Sequence, residues 1–214
     1  VDEGAAVSLR ADAQLDTRSH IGRADRGWFI NAFAERSGGI LGGDFQFKRY
    51  LLDLRRYQPM GPGTRLDLRL RGSTAKGDLP QQYVYRLGGF GSLRGYGFKA
   101  FAGDRSVLLN AQYWLDADHH WAGGLPLDDL GLGVFFDAGS AWFAHDRSDP
   151  FTGFQDLALG ADTGPEWKRA VGLAVGTADE GLRLEFTRAL DDDPGAMEPE
   201  SAGWSMTARI SRAF

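Results

Sequence analysis

The sequence predicts an all-β chain, an antiparallel transmembrane β-barrel with about ten strands present, and three observations carry that expectation. Apolar and polar residues alternate with period 2 over strand-length stretches along the whole chain, as they do in strands that face two different environments. Gly makes up 30 of the 214 residues while Pro is only 8, a balance suited to many strands joined by tight turns. Nowhere does the chain offer the ~18 uninterrupted apolar residues of a membrane helix. Its apolar stretches, such as Ser106 to Leu115, are strand-sized.

In the first element Val7, Leu9, Ala11, Ala13 and Leu15 alternate with Ser8, Arg10, Asp12 and Gln14, giving one apolar face and one charged face. Leu66, Leu68 and Leu70 against Arg65, Asp67 and Arg69 repeat the pattern, as do Leu182, Leu184 and Phe186 against Arg183, Glu185 and Thr187. The last element sets Trp204, Met206, Ala208, Ile210 and Phe214 against Ser205, Thr207, Arg209 and Ser211, with Arg212 out of phase. Ten candidate strands result, near 5–16, 26–36, 44–57, 64–73, 82–91, 105–115, 130–143, 167–177, 181–190 and 203–214, and no helix competes with them. Gly38-Gly39 and Asp179-Glu180-Gly181 read as turns, and 144–166 and 191–202 as long polar loops, an alternation suited to a bacterial barrel. A soluble barrel or sandwich also alternates. Strand lengths of ~9 to 11 residues and a polar face rich in Arg, Asp, Glu and Gln favour tilted crossing of a bilayer around a wet lumen. Trp28, Trp142, Trp167 and Trp204 near strand ends suit interfacial girdles.

The formal charge of -5 argues against a phosphate-binding surface, so nucleic acid is not an expected partner. The absence of Cys removes disulfides, Cys-based zinc sites and thiol nucleophiles. Asp116, Asp118, His119 and His120 resemble metal ligands in composition, but they fall in a polar turn, and no metal or cofactor is expected. His145 and Asp146 near Ser148 lack a nucleophile elbow, and neither Ser92 nor Ser140 has Gly two positions before it. No catalytic residue is expected, and the run Asp191-Asp192-Asp193-Pro194-Gly195 reads as an exposed turn. The start, Val1-Asp2-Glu3-Gly4, carries neither an initiator Met nor a signal segment, so residues 1–214 are expected to be one barrel domain continued upstream.

The segment Arg86-Leu87-Gly88-Gly89-Phe90-Gly91-Ser92-Leu93-Arg94-Gly95-Tyr96-Gly97 resembles the GG-x-x-S-[VLI]-R-G-[YF] signature of the BamA/TamA/FhaC superfamily of outer-membrane assembly and two-partner secretion barrels, the bacterial surface antigen family. Gly77-Asp78-Leu79-Pro80 resembles the turn before it, Asn110-Ala111-Gln112-Tyr113 the strand after it, and Phe135-Phe136-Asp137-Ala138-Gly139 the family's F-x-D-x-G strand. Phe214 is similar to the C-terminal aromatic by which such barrels are recognised for assembly. Five candidate strands follow the Arg-Gly-Tyr segment, as in the family. The resemblance implies the last ten strands of a sixteen-stranded barrel in the bacterial outer membrane, with about six strands and any periplasmic repeat domains upstream, while a small closed barrel of ten strands stays open as the alternative.

It also implies that the loop carrying Arg94, Gly95 and Tyr96 folds back into the lumen, where Arg94 pairs with Asp137. Parity agrees, since Leu132, Val134 and Phe136 share the apolar face and leave Asp137 in the lumen beside Gly131, Gly133 and Gly139, which are small enough to admit a loop. Gly95 and Gly97 would let the loop tip turn, and Tyr96 would pack on the wall. Gln112 stands where the family has Glu, so one acidic partner of Arg94 is expected to be missing and the latch weakened. The function implied is insertion, assembly or translocation of client proteins among outer-membrane lipids and lipopolysaccharide, with the last strand as a seam edge. Two alternatives stay open. One is a barrel anchor for a fused passenger such as a patatin-like phospholipase, and the other is a passive pore.

Overall fold

The computed structural model describes residues 3–19, 25–116, 130–144, 149–151, 154, 165–177, 182–192 and 203–210. Among these residues eleven strands are formed: β1 (Ser8–Asp16), β2 (Gly27–Ser37), β3 (Phe47–Gly61), β4 (Thr64–Gly77), β5 (Tyr85–Leu87), β6 (Phe101–Gly103), β7 (Arg105–Asp116), β8 (Leu130–Trp142), β9 (Lys168–Thr177), β10 (Leu182–Ala189) and β11 (Trp204–Ile210). Among the described residues helix is limited to 3-10 turns at Gly39–Leu41 and Gln81–Tyr83 and to the helical conformation of Phe154.

Nine of the strands make one antiparallel sheet in the order β1-β2-β3-β4-β7-β8-β9-β10-β11. The candidate strand at 82–91 is not part of it. Gly88 and Gly89 have φ of 116° and 89°, and a side chain at Gly88 would sit 2.2 Å from the Gly97 carbonyl, so the chain turns back there. Only Tyr85–Leu87 remains extended, paired with Phe101–Gly103 in a separate two-stranded ribbon. β4 therefore pairs directly with β7 across the excursion 78–104, and five strands follow it in the main sheet. The ends β1 and β11 are the two edges of an open sheet.

Parity separates the two faces. Val134, Leu173, Phe186 and Met206 point outward and are 40–68% exposed, whereas Trp114, Asp137 and Thr187 point inward and are at most 2% exposed. Trp142, Trp167 and Trp204 ring one end of the sheet, and Trp28 lies at the other. The long connections 78–104 and 143–167 open at the end with three tryptophans, the end that faces outside in bacterial barrels. An apolar exterior and a polar interior are the reverse of a soluble core. Two buried apolar clusters lie where the excursion meets the inner wall, Leu87, Leu93 and Tyr96 against Leu108, Ala170 and Ala189, and Tyr85 against Phe33 and Ala75, while a third, Trp114 with Phe135 and Ala174, belongs to the wall itself.

Candidate functional site

The inner wall offers residues from alternate positions of neighbouring strands. On β7 these are Leu108, Asn110, Gln112 and Trp114; on β8, Gly133, Phe135, Asp137 and Gly139; on β10, Arg183, Glu185 and Thr187. Asn110 is the register partner of Asp137, so a carboxamide and a carboxylate stand side by side.

Arg94 enters this patch from the excursion. Its Nε donates to Asp137 Oδ2 and its Nη2 to Asp137 Oδ1, both at 2.7 Å, a two-bond fork that a Lys could not reproduce. The Arg94 amide also donates to Asp137 Oδ2 at 3.1 Å, and Asn110 Nδ2 to Oδ1 at 2.7 Å, so four donors converge on one fully buried carboxylate. The guanidinium lies 3.5 Å above the Phe135 ring, with its charge facing the π-surface. Phe135 of the strand motif is thus the floor beneath the ion pair.

The acidic partner that Gln112 does not provide comes from Glu185 on β10. Arg94 Nη1 is 3.2 Å from both Gln112 Oε1 and Glu185 Oε1. Arg183 Nε donates to Glu185 at 2.8 Å, and its Nη2 donates to Gln112 Oε1. Arg94, Arg183, Asp137 and Glu185 form a neutral quartet bridged by the Gln112 carbonyl oxygen. Sequence reading singled out neither Asn110, Arg183 nor Glu185 as a partner. The alternation of β10 places the last two on the polar face, but only the curvature of the sheet brings them to Arg94.

Gly95 has φ 84°, and a side chain there would lie 2.8 Å from Thr187 Cγ2, so both conformation and space call for Gly. Gly97 needs neither, having no positive φ and open space around it. Tyr96 packs edge-on to Phe101 and donates its hydroxyl to the Arg169 carbonyl at 2.8 Å. A side chain at Gly139 would lie 3.1 Å from Leu87 of the excursion, but the space over Gly131 and Gly133 is filled by Trp114 rather than by the loop. Asp191 and Asp192 are engaged rather than free. Arg169 Nη2 bonds Asp191 at 2.7 Å, and Lys168 Nζ bonds the Asp192 carbonyl. The Arg169 guanidinium holds the Asp191 carboxyl below the usual carboxylate range.

Beside the quartet lies a lumen cavity of about 370 Å³ bordered by Arg55, Arg65, Asp67, Arg69 and Arg209. Arg69 ties the excursion to β4 through the Gly91 carbonyl at 3.0 Å, while Asp53 holds Arg69 and Arg55. Ser92 bonds the backbone of Gly88 and Ser140 the Glu166 carbonyl, both structural pairings. No group of three or more metal-ligating side chains occurs among the described residues. Phe214, Arg212, Asp118, His119, His120, His145, Asp146 and Ser148 lie outside the described residues.

Comparison with known proteins finds one family for the chain. Residues 2–197 match the model of the Omp85 superfamily domain. The outer membrane protein assembly factor BamA of Nitratidesulfovibrio vulgaris (strain Hildenborough) is 26% identical over 190 residues, an alignment covering 79% of this chain. The chain spans 22% of the length of that relative. The crystal structure of BamA from Haemophilus ducreyi lacking POTRA domains 1–3 superposes with a TM-score of 0.68 over 88% of this chain and 40% of that one, at 14% identity, a likeness of fold.

Proposed function

The chain belongs to the Omp85 superfamily, and from that premise we propose that it is the barrel part of an outer-membrane protein that inserts, assembles or translocates other proteins, with its Arg-Gly-Tyr loop latched inside the lumen. An apolar exterior around an ion-paired interior suits a barrel wall in the outer membrane, in contact with its lipids. Client proteins, and periplasmic POTRA repeats on the full-length protein, are the partners this reading assigns. The name and truncated domains of the matched BamA proteins support that assignment.

One observation carries the reading: a 78–104 excursion that turns inward and locks Arg94 to Asp137, rather than extending into solvent. An occupied lumen counts against a permanently open pore. β11 directs Ser205, Thr207 and Arg209 inward and Trp204, Met206 and Ile210 outward, so its outer edge, unpaired among the described residues, could template an incoming strand with backbone groups. The decisive experiment reconstitutes the full-length protein in proteoliposomes and follows the folding rate of an unfolded client barrel. Acceleration by the wild type and its loss in Arg94→Ala, with the barrel itself folded, is the expected result. Equal client folding with wild type, Arg94→Ala and empty liposomes would overturn the assignment, and steady wild-type conductance would favour a pore.

A further inference from the structure

On the outward face at the long-loop end, three cations stand in one cross-strand row. Arg36 of β2 is the register partner of Lys48 of β3, and Lys48 that of Lys76 of β4. With strands ~4.8 Å apart, the row spans roughly 10 Å. Like charges placed directly opposite one another destabilise a sheet unless a counter-charge sits between them. Among the described residues neither Arg36 nor Lys48 makes an ion pair, whereas Lys76 already has an interaction partner, so the uncompensated charge lies on Arg36 and Lys48. The row borders a cavity of about 280 Å³ shared with Gly39 and Gln46.

Directly below the cations, toward the middle of the wall, the outward rows are Tyr50 with Thr74 and then Leu52 with Gly72. A side chain at Gly72 would meet nothing within 4 Å, which leaves a notch in the apolar exterior. The far side of the notch is built by segment 149–151 and Phe154. The Thr74 hydroxyl donates to the Pro150 carbonyl and Arg105 Nη2 to the Asp149 carbonyl at 2.9 Å, which pins that segment across the wall. The resulting groove of about 390 Å³ is lined by Tyr50, Leu52, Gly72, Phe151 and Phe154, with Leu52 44% and Phe151 70% exposed. Lys48 and Leu52 are four strand positions apart, roughly 13 Å. A polar, cationic upper part thus continues into an apolar lower part on one face.

We propose that this face binds a phosphate-bearing, acylated lipid of the outer leaflet, its phosphate on the Arg36–Lys48–Lys76 row and one acyl chain in the groove over Gly72. The chain's formal charge of -5 argues against an extended phosphate-binding surface, but the field at this row is local and cationic, so charge complementarity names the head group and the groove below it names the tail. The inference rests on reading the outward face as membrane-facing and needs no insertase activity, so loss of client folding and loss of lipid binding are separate outcomes.

The test titrates the full-length protein in neutral detergent with diphosphorylated lipid A, monophosphorylated lipid A and inorganic phosphate, counting bound species by native mass spectrometry. Tightest binding of the diphosphorylated form is expected, weakening with added salt. At roughly fivefold per cation, Arg36→Gln/Lys48→Gln/Lys76→Gln should lose about a hundredfold. Gly72→Phe fills the groove and should weaken lipid binding with the cations intact. Wild-type binding that ignores salt, or a folded triple variant that binds as tightly as wild type, overturns the proposal. Inorganic phosphate binding as tightly as the lipid, or full affinity in Gly72→Phe, overturns the acyl half. The salt titration needs no variant, so a triple variant that fails to fold leaves the proposal testable.

Discussion

Arg94→Ala removes a side chain that is 9% exposed from a carboxylate that is 0% exposed. Asp137 keeps only the Asn110 bond and the backbone amide, and Glu185 keeps Arg183. Breaking a buried pair from one side costs roughly 3–5 kcal/mol, because the remaining charge stays desolvated and uncompensated. At 1.4 kcal/mol per decade, the ratio of docked to undocked loop should fall by roughly two to three and a half decades. Hydrogen exchange reads this locally. The amides of Gly89 and Ser92, bonded to the carbonyls of Tyr96 and Gly89, should lose protection by that factor while the β7–β8 ladder keeps its own. Asp137→Ala should behave alike. The double variant Arg94→Ala/Asp137→Ala should lie within roughly 2 kcal/mol of wild type, since it leaves the neutral Arg183–Glu185 pair and no stranded charge. A double variant as damaged as the sum of the singles, or Arg94→Ala with loop protection unchanged, would refute the reasoning.

Gln112→Glu adds a third carboxylate to a quartet that is already neutral, so it should weaken loop docking, whereas the exchange Gln112→Glu/Glu185→Gln restores the charge balance and should recover most of it by the same amide measurement. Gly95→Ala, forced to φ 84° and against Thr187, should cost about 1–3 kcal/mol of loop protection, while Gly97→Ala should stay within about 0.5 kcal/mol. The depressed Asp191 carboxyl contributes stability that is present above its unfolded pKa near ~3.9 and is lost as pH falls through its lower folded value. Protection of the Leu190 amide, bonded to the Arg169 carbonyl at 2.8 Å, should therefore fall below about pH 4 in wild type and show no such acid step in Asp191→Asn.

Strand faces were legible because side-chain parity is a local property. The alternation of Leu132, Val134 and Phe136 around Asp137, and of Leu182, Leu184 and Phe186 around Glu185, needs no knowledge of distant residues. The strand expected at 82–91 failed for a related reason. Tyr83, Tyr85 and Leu87 alternate as a strand should, and a segment packed inside the wall has the same two-faced environment as one within it. Only the positive φ of Gly88 and Gly89 distinguishes them, and Gly alone does not reveal the sign of φ. The Glu185 contact spans 91 positions and depends on how far the sheet curves between β7 and β10. Gly131 and Gly133 looked like room for a loop, but the space belongs to the Trp114 indole on the neighbouring strand.

The two kinds of contact that hold the excursion have different roles. Leu87 and Leu93 are fully buried, and at roughly 1.5–3 kcal/mol each they supply adhesion that slides easily, because apolar contacts have no fixed direction. The Arg94 fork adds little net energy once the desolvation of both partners is counted, yet it is satisfied in one position only, with Asp137 beside Asn110 and Glu185 two strands away on β10. Adhesion therefore comes from the leucines and register from the quartet. On the proposed reading, a loop built this way acts as a positioned strut. Its displacement would require an incoming group that either fits the fork or neutralises Asp137, which makes acidic and Arg-bearing client segments the natural competitors for the site.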